Sequence, residues 1–259
     1  MSETLDGQVA VVTGAARGLG RAFCEALTPH GVHVVACDRD KAVQDVDGIS
    51  YVADVTDPNE VRRVVDGAVA AHGRIDILVN NAAVGYATGP TDGWDQAIAD
   101  YEEIIGANTK GSFLFGRAVV PVMIAGGGGH IVNIGTDHVF PPPGVDVHGH
   151  GQMDVYNASK WAIVGLTLDW SISLRQHNIR VNALCMGATV TEMLLAWKGD
   201  RPDEAAGWMQ PSQTADLLLE LLGEGPDGRT GQNIGLWVGR PISIEDSTHA
   251  GARLPGPDG

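Results

Sequence analysis

Short apolar runs alternate with stretches of helical period along almost the whole chain, and this alternation constrains the fold more than any other feature. Residues 9–12, 32–37, 49–53, 75–79, 131–134, 179–184 and 234–238 read as seven strands. Helical signals fall between them over 19–28, 57–69, 95–124, 155–176 and 214–222, with a second segment beginning near Asn108. Asp57-Pro58-Asn59-Glu60 is a helix start, with a capping carboxylate, proline at the first helical position and glutamate three residues after the cap. Strands separated by helices must run parallel, because parallel neighbours need crossover connections. The strand cores are continuously apolar, as expected of strands covered on both faces. Without an internal repeat or a long linker, residues 1–244 read as one α/β domain, and 245–259, rich in Pro, Gly and charge, as a surface arm.

Charge and composition exclude several function classes. Seventeen Lys+Arg against thirty-two Asp+Glu give a net charge of −15. So acidic a chain has no electrostatic footprint for nucleic acid and is repelled by anionic lipid. No apolar run approaches the roughly 20 residues that cross a bilayer, and the first residues lack the basic and apolar regions of a signal peptide. Cys24, Cys37 and Cys185 are too scattered for a disulfide framework or a zinc site. Cys37 and Cys185, at strand ends in apolar company, read as inert thiols, and a cytoplasmic setting is expected.

The first strand runs into Thr13-Gly14-Ala15-Ala16-Arg17-Gly18-Leu19-Gly20. Alone, such glycines mark only a tight turn. Between a strand and a helix they let backbone N–H groups approach a pyrophosphate that the helix N-terminus attracts. Arg17 either pairs with a carboxylate or reaches phosphate. Asp38, 18 residues past Gly20, ends the second strand. Its carboxylate can accept hydrogen bonds from an adenosine ribose 2′-OH and would repel a 2′-phosphate, so NAD is expected over NADP. Arg39 pulls the other way, because a guanidinium could welcome that phosphate.

Tyr156-Asn157-Ala158-Ser159-Lys160 places a phenol and an ammonium one helical turn apart on a shared face. A tyrosine of ordinary pKa, about 10, is a poor acid–base group at neutral pH. A neighbouring cation favours the phenolate and is expected to lower that pKa.

Together these motifs resemble the short-chain dehydrogenase/reductase family, in its short single-domain form, from about residue 7 to 239. The loop spacing is that branch's TGxxxGxG, and Tyr156 and Lys160 match its YxxxK pair. The resemblance implies a Rossmann-type doubly wound sheet of seven strands, order 3-2-1-4-5-6-7, in three α/β/α layers. Gly14, Gly18, Leu19 and Gly20 would serve the pyrophosphate. Asp54 and Val55 match the adenine-side motif, and Asn81, Ala82 and Ala83 the cofactor-bordering motif after the fourth strand. Gly187, Thr189 and Thr191 fall where the family contacts the nicotinamide end. Asn108 matches the asparagine that supports a water-linked proton relay through the lysine. The implied reaction passes hydride between NAD and a secondary alcohol or ketone. Tyr156 is its general acid and base, and Lys160 lowers the phenol's pKa and binds the nicotinamide ribose. A homodimer or homotetramer packed through the helices of Asn108 and Tyr156 is expected.

The chain departs from the family at informative places. Thr136, in Ile134-Gly135-Thr136, occupies the catalytic serine's position. Its hydroxyl can still donate to a carbonyl oxygen, but its methyl restricts the rotamer. Should Thr136 not serve, Asp137 or His138 are the oxyanion candidates. Thr136 and Tyr156 stand 20 residues apart, farther than is usual. The added loop carries Pro141-Pro142-Pro143-Gly144 and His148-Gly149-His150, and is expected to shape the substrate mouth. His138 and His148 are candidate substrate contacts, and no third ligand at convincing spacing makes a metal site of the histidines. Residues 192–210 read as a lid, in which Met193, Leu194, Leu195, Trp197, Trp208 and Met209 suggest an apolar substrate wall or a lid packed on its own subunit. Met186 replaces a proline and Trp237-Val238 an Asp-Gly. Trp161 and Trp170 read as helix-packing residues. A dinucleotide-sensing protein that has lost catalysis is the competing reading, and so is another reaction on the same scaffold; the intact Asn108, Tyr156 and Lys160 argue against both.

Overall fold

The computed structural model describes residues 4–139, 151–198, 205 and 207–244, with only the backbone of Trp197 and Lys198. Seven parallel strands form one sheet: β1 (Val9–Thr13), β2 (His33–Asp38), β3 (Ile49–Val52), β4 (Ile77–Asn80), β5 (Gly129–Thr136), β6 (Ile179–Met186) and β7 (Asn233–Leu236). Their order is β3-β2-β1-β4-β5-β6-β7, as expected. The chain reverses direction across the sheet between β1 and β4, which opens a crevice at the strands' carboxyl ends.

Among the described residues seven α-helices connect them: α1 (Gly18–Leu27), α2 (Pro58–His72), α3 (Trp94–Ile105), α4 (Gly111–Gly126), α5 (Asp154–Ser173), α6 (Glu192–Lys198) and α7 (Pro211–Leu222). Successive strand residues face opposite layers. Ala10, Val12, Val132 and Ile134 pack with α1 and α7, while Val9, Val11 and Ile131 pack with α2 and α4. Burial on both sides explains why the strand sequences do not alternate with polar residues.

Local chemistry sets several boundaries. Asp57 Oδ1 accepts the N–H groups of Asn59 and Glu60 at 2.7 and 3.4 Å and so caps α2. Gly73, with φ of 74°, ends it. The expected break near Asn108 is instead one π-helical turn, Gly106–Lys110, through which α3 continues into α4. β5 and β6 extend to Thr136 and Met186 because the two pair residue for residue to their ends. β7 stops at Leu236, and α6 forms within the expected lid. Among the described residues no helix is long and apolar enough to cross a membrane. The proline- and histidine-bearing loop 140–150 and the arm 245–259 lie outside the described residues.

Candidate active site

At the carboxyl end of β1 the chain turns through Gly14, whose φ is 66° and whose Cβ would stand 2.8 Å from the Ala82 Cα. Only glycine fits that conformation and approach. Gly20 is more constrained: its Cβ would lie 2.1 Å from the Gly14 carbonyl oxygen. Asn81 Nδ2 donates to the carbonyls of Thr13 and Gly14 at 2.9 and 3.0 Å, and Thr13 Oγ1 accepts from the Asn81 and Ala82 N–H groups. The segment after β4 is thereby stitched to the glycine turn. α1 begins with no side-chain cap and no acid in its first turn, which leaves its N-terminal amides suited to an anion.

Asp38 stands at the end of β2. Its Oδ2 accepts from the Ala16 N–H at 3.0 Å and its Oδ1 from that of Asp40 at 2.9 Å. The two neighbouring guanidinium groups each find a carboxylate: Arg17 lies 3.8 Å from Asp40, and Arg39 lies 3.7 Å from Glu103 of α3. The Tyr86 hydroxyl also donates to Glu103. Asp54 is exposed just past β3 and accepts the Thr56 N–H at 2.8 Å. Val55 is buried against α4, so closely that a Cβ on Gly111 would come 2.6 Å from its Cγ2.

β5 ends at Thr136, and α5 brings Tyr156 and Lys160 across from it. The Thr136 hydroxyl is hydrogen-bonded to the Tyr156 phenol. Lys160 Nζ donates to the Ile134 carbonyl at 2.8 Å and lies 5.6 Å from the centre of the Tyr156 ring. Asn108 sits behind this pair in the π turn. Its Oδ1 accepts from the Val84 N–H at 2.8 Å, and its Nδ2 donates to the Val84 carbonyl and the Ser159 hydroxyl at 2.9 Å each. Its side chain therefore ties three elements together, and makes no direct bond to Lys160 among those described.

The electrostatics correct one expectation. Burial pushes the Tyr156 phenol up to about 12; the Thr136 hydrogen bond opposes this, and the charges of Asp137 and Cys185 add to it. Burial pushes Lys160 down to about 8. Desolvation disfavours the charged form of both groups, and in the free protein it outweighs the lowering expected from the adjacent ammonium. The thiols of Cys24 and Cys185 rise to about 12 from burial, as inert core thiols do.

A cavity of about 240 Å³ opens at this point. Leu19, Asn81, Ala83, Thr136, His138, Tyr156, Lys160, Gly187, Thr189, Thr191 and Met193 line it together, although they span most of the sequence. Its apolar wall comes from Met153, Met186, Met193 and Leu194. Met209 is not part of that wall: it is buried in the core, and its N–H bonds to the Ala188 carbonyl. Leu195 is more than a third exposed. His148 lies outside the described residues, as does the side chain of Trp197. Sequence reading missed Met153, Ser159 and Glu103. The position of Ser159 within the Tyr156–Lys160 turn is a signal that could have found it, whereas nothing local marks Glu103.

Comparison with known proteins agrees with this arrangement. The sequence model of the short chain dehydrogenase family matches residues 8–201. A 3-oxoacyl-(acyl-carrier-protein) reductase of Thermotoga maritima is 32% identical over 248 residues, covering 90% of this chain and 97% of its own. A dehydrogenase/reductase SDR family member 4 of Bos taurus is 35% identical over 253 residues, covering 89% and 86%. The crystal structure of a 3-ketoacyl-(acyl-carrier-protein) reductase from Brucella melitensis complexed with NADH superposes with a TM-score of 0.78 at 26% identity, covering 89% of this chain and 97% of that one.

Proposed function

The chain belongs to the short-chain dehydrogenase/reductase family, and from that premise we propose that it is an NAD-dependent oxidoreductase interconverting a secondary alcohol and a ketone, with Tyr156 as general acid and base. The observation that carries this reading is the meeting of Thr136, Tyr156 and Lys160 on one cavity beside the glycine turn.

The residues present fit a dinucleotide. The uncapped start of α1 suits a pyrophosphate. Asp38 suits an adenosine ribose, with Asp54 and Val55 on the adenine side. Gly187, Thr189 and Thr191 line the cavity, and the nicotinamide would lie against them. Because Arg39 is drawn toward Glu103 and Arg17 toward Asp40, NAD is favoured over NADP. When bound, the nicotinamide supplies the hydride acceptor or donor. Tyr156 takes the hydroxyl proton in oxidation and returns it in reduction. Thr136 donates to the substrate oxygen and steadies developing negative charge there. Lys160, held by the Ile134 carbonyl, places its ammonium by the phenol and the ribose. Asn108 keeps the relay behind the lysine in position. Of the expected lid, α6 (Glu192–Lys198) is the part that closes on the substrate in this reading, Met193 meeting it, with His138 at the mouth. The substrate is a small alcohol or ketone with an apolar or cyclic body. The protein acts in the cytoplasm as a homodimer or homotetramer.

The test mixes protein, NAD and a panel of aliphatic and cyclic secondary alcohols and follows absorbance at 340 nm. Tyr156→Phe is expected to abolish turnover while NAD binding persists; near-normal turnover in that variant overturns the mechanism. A higher kcat/KM with NADP than with NAD overturns the role of Asp38.

A further inference from the structure

A carboxylate shares the cavity with the reacting groups. Asp137 follows Thr136 directly and lines the same cavity. Its N–H bonds to the Met186 carbonyl at 3.0 Å, which fixes it at the paired ends of β5 and β6. Its Oδ1 lies 3.4 Å from the Thr136 hydroxyl, and its Oδ2 lies 2.8 Å from where a Gly187 Cβ would stand. Any side chain at 187 would displace it, so the glycine makes room for the acid. The same cavity has an apolar wall of Met153, Met186, Met193 and Leu194 and polar side chains in His138, Thr189 and Thr191; among these lining groups Asp137 is the carboxylate, which accepts and does not donate.

We infer that Asp137 is a specificity-determining residue that selects substrates carrying a second hydrogen-bond donor, a hydroxyl or an amine, on the carbon next to the reacting carbinol. This rests on the alcohol–ketone reading above. Thr136 is the group that meets the carbinol oxygen in that reading, and Asp137 Oδ1 is its neighbour at hydrogen-bonding scale. Oxygens on adjacent carbons are themselves about 3 Å apart, the span of a hydrogen bond. A vicinal diol or amino alcohol therefore presents one group to Thr136 and Tyr156 and the next to the carboxylate. An ionised carboxylate only accepts, so it rewards a donor and opposes an anion, and the net charge of −15 opposes an anion as well. The reaction is unchanged by the second donor: alcohol and NAD⁺ give ketone, NADH and a proton, and the neighbouring hydroxyl or amine leaves as it entered.

The experiment compares cyclohexanol, cyclohexane-1,2-diol and 2-aminocyclohexanol with the wild-type protein, Asp137→Asn and Asp137→Ala. The ratio of kcat/KM for diol to that for cyclohexanol is the main readout, because any change in the Tyr156 proton transfer affects both substrates and cancels. The wild-type ratio is expected to be about tenfold or more and to fall toward unity in Asp137→Ala. Asp137→Asn, whose amide oxygen still accepts, should keep part of the diol preference and lose more of that for the ammonium. The second readout is calorimetric affinity of the same compounds for the protein–NADH complex. If no alcohol is turned over, the alcohol–ketone reading falls, and the calorimetry still decides the role of Asp137: diol binding weakened by Asp137→Ala supports it, and equal binding overturns it. An unchanged turnover ratio in Asp137→Ala, or a rise in the KM for NAD with that ratio intact, also overturns it, the latter assigning the carboxylate to the dinucleotide.

Discussion

In the proposed reaction Tyr156 loses and regains a proton, yet its surroundings in the free protein resist the loss. Burial removes the water that would solvate a phenolate, and the Asp137 carboxylate opposes a second negative charge nearby. Among the described residues His138, whose ring meets that of Tyr156 edge-on at 6.1 Å, Lys160 and Cys185 are further titratable groups around it. The sign follows directly. A raised pKa keeps the phenol protonated at neutral pH, ready to donate in ketone reduction, and makes alcohol oxidation climb as pH rises. Removing the negative charge in Asp137→Asn should move the rising limb of the oxidation profile to lower pH; a limb that stays in place or moves upward contradicts this. At Thr136 the proposed role belongs to the hydroxyl and not to the methyl. Thr136→Ser should retain activity, and Thr136→Ala should lose on the order of 100-fold in kcat. Steady-state kinetics on the three proteins distinguishes the two groups.

At the scale of elements, the π turn in the long helix α3–α4 is what brings Asn108 to the back of the site. The extra residue in that turn lets the Asn108 side chain reach the Val84 backbone and Ser159 at once. All three hydrogen bonds are buried or partly so, and the partners are left unsatisfied if the amide is removed. Asn108→Ala should therefore cost about 2 kcal/mol, seen as a fall of several degrees in Tm by calorimetry. Ser159→Ala, which breaks one of the three, should cost less. The glycine turn is a tighter constraint. A methyl at Gly20 overlaps the Gly14 carbonyl, and Gly20→Ala should lose dinucleotide binding in a fluorescence titration.

Across the whole molecule, the described surface of α3, α4 and α5 carries large apolar groups: Trp94 is 79% exposed, Phe113 43%, Trp161 52% and Ile172 59%. Isolated apolar residues are ordinary on a surface, but a group of them on adjoining helices marks a contact. On the proposed homo-oligomer this surface is covered. Sedimentation should show a dimer or tetramer for the wild type and smaller species for Trp161→Glu; an unchanged distribution would place the interface elsewhere. Trp170, on the same helix as Trp161, is a packing residue instead, with its ring over Gly116 and 6.3 Å from that of Phe113.

Local pattern alone determined a great deal here. The apolar runs placed the strands, their helical separations made the sheet parallel, and four-residue spacing put Tyr156 and Lys160 on one face. Each of these is fixed by backbone geometry over a few residues, which is why reading the chain recovered them. The tertiary structure decided what periodicity cannot carry. Whether the phenol is raised or lowered depends on the water that packing removes, and burial won over the nearby ammonium. Arg39 met Glu103 of α3, and Asp137 met Gly187, only because strand order and register bring distant segments together. Solvation and charge act through space, so they answer to every neighbour at once and not to the order of residues along the chain.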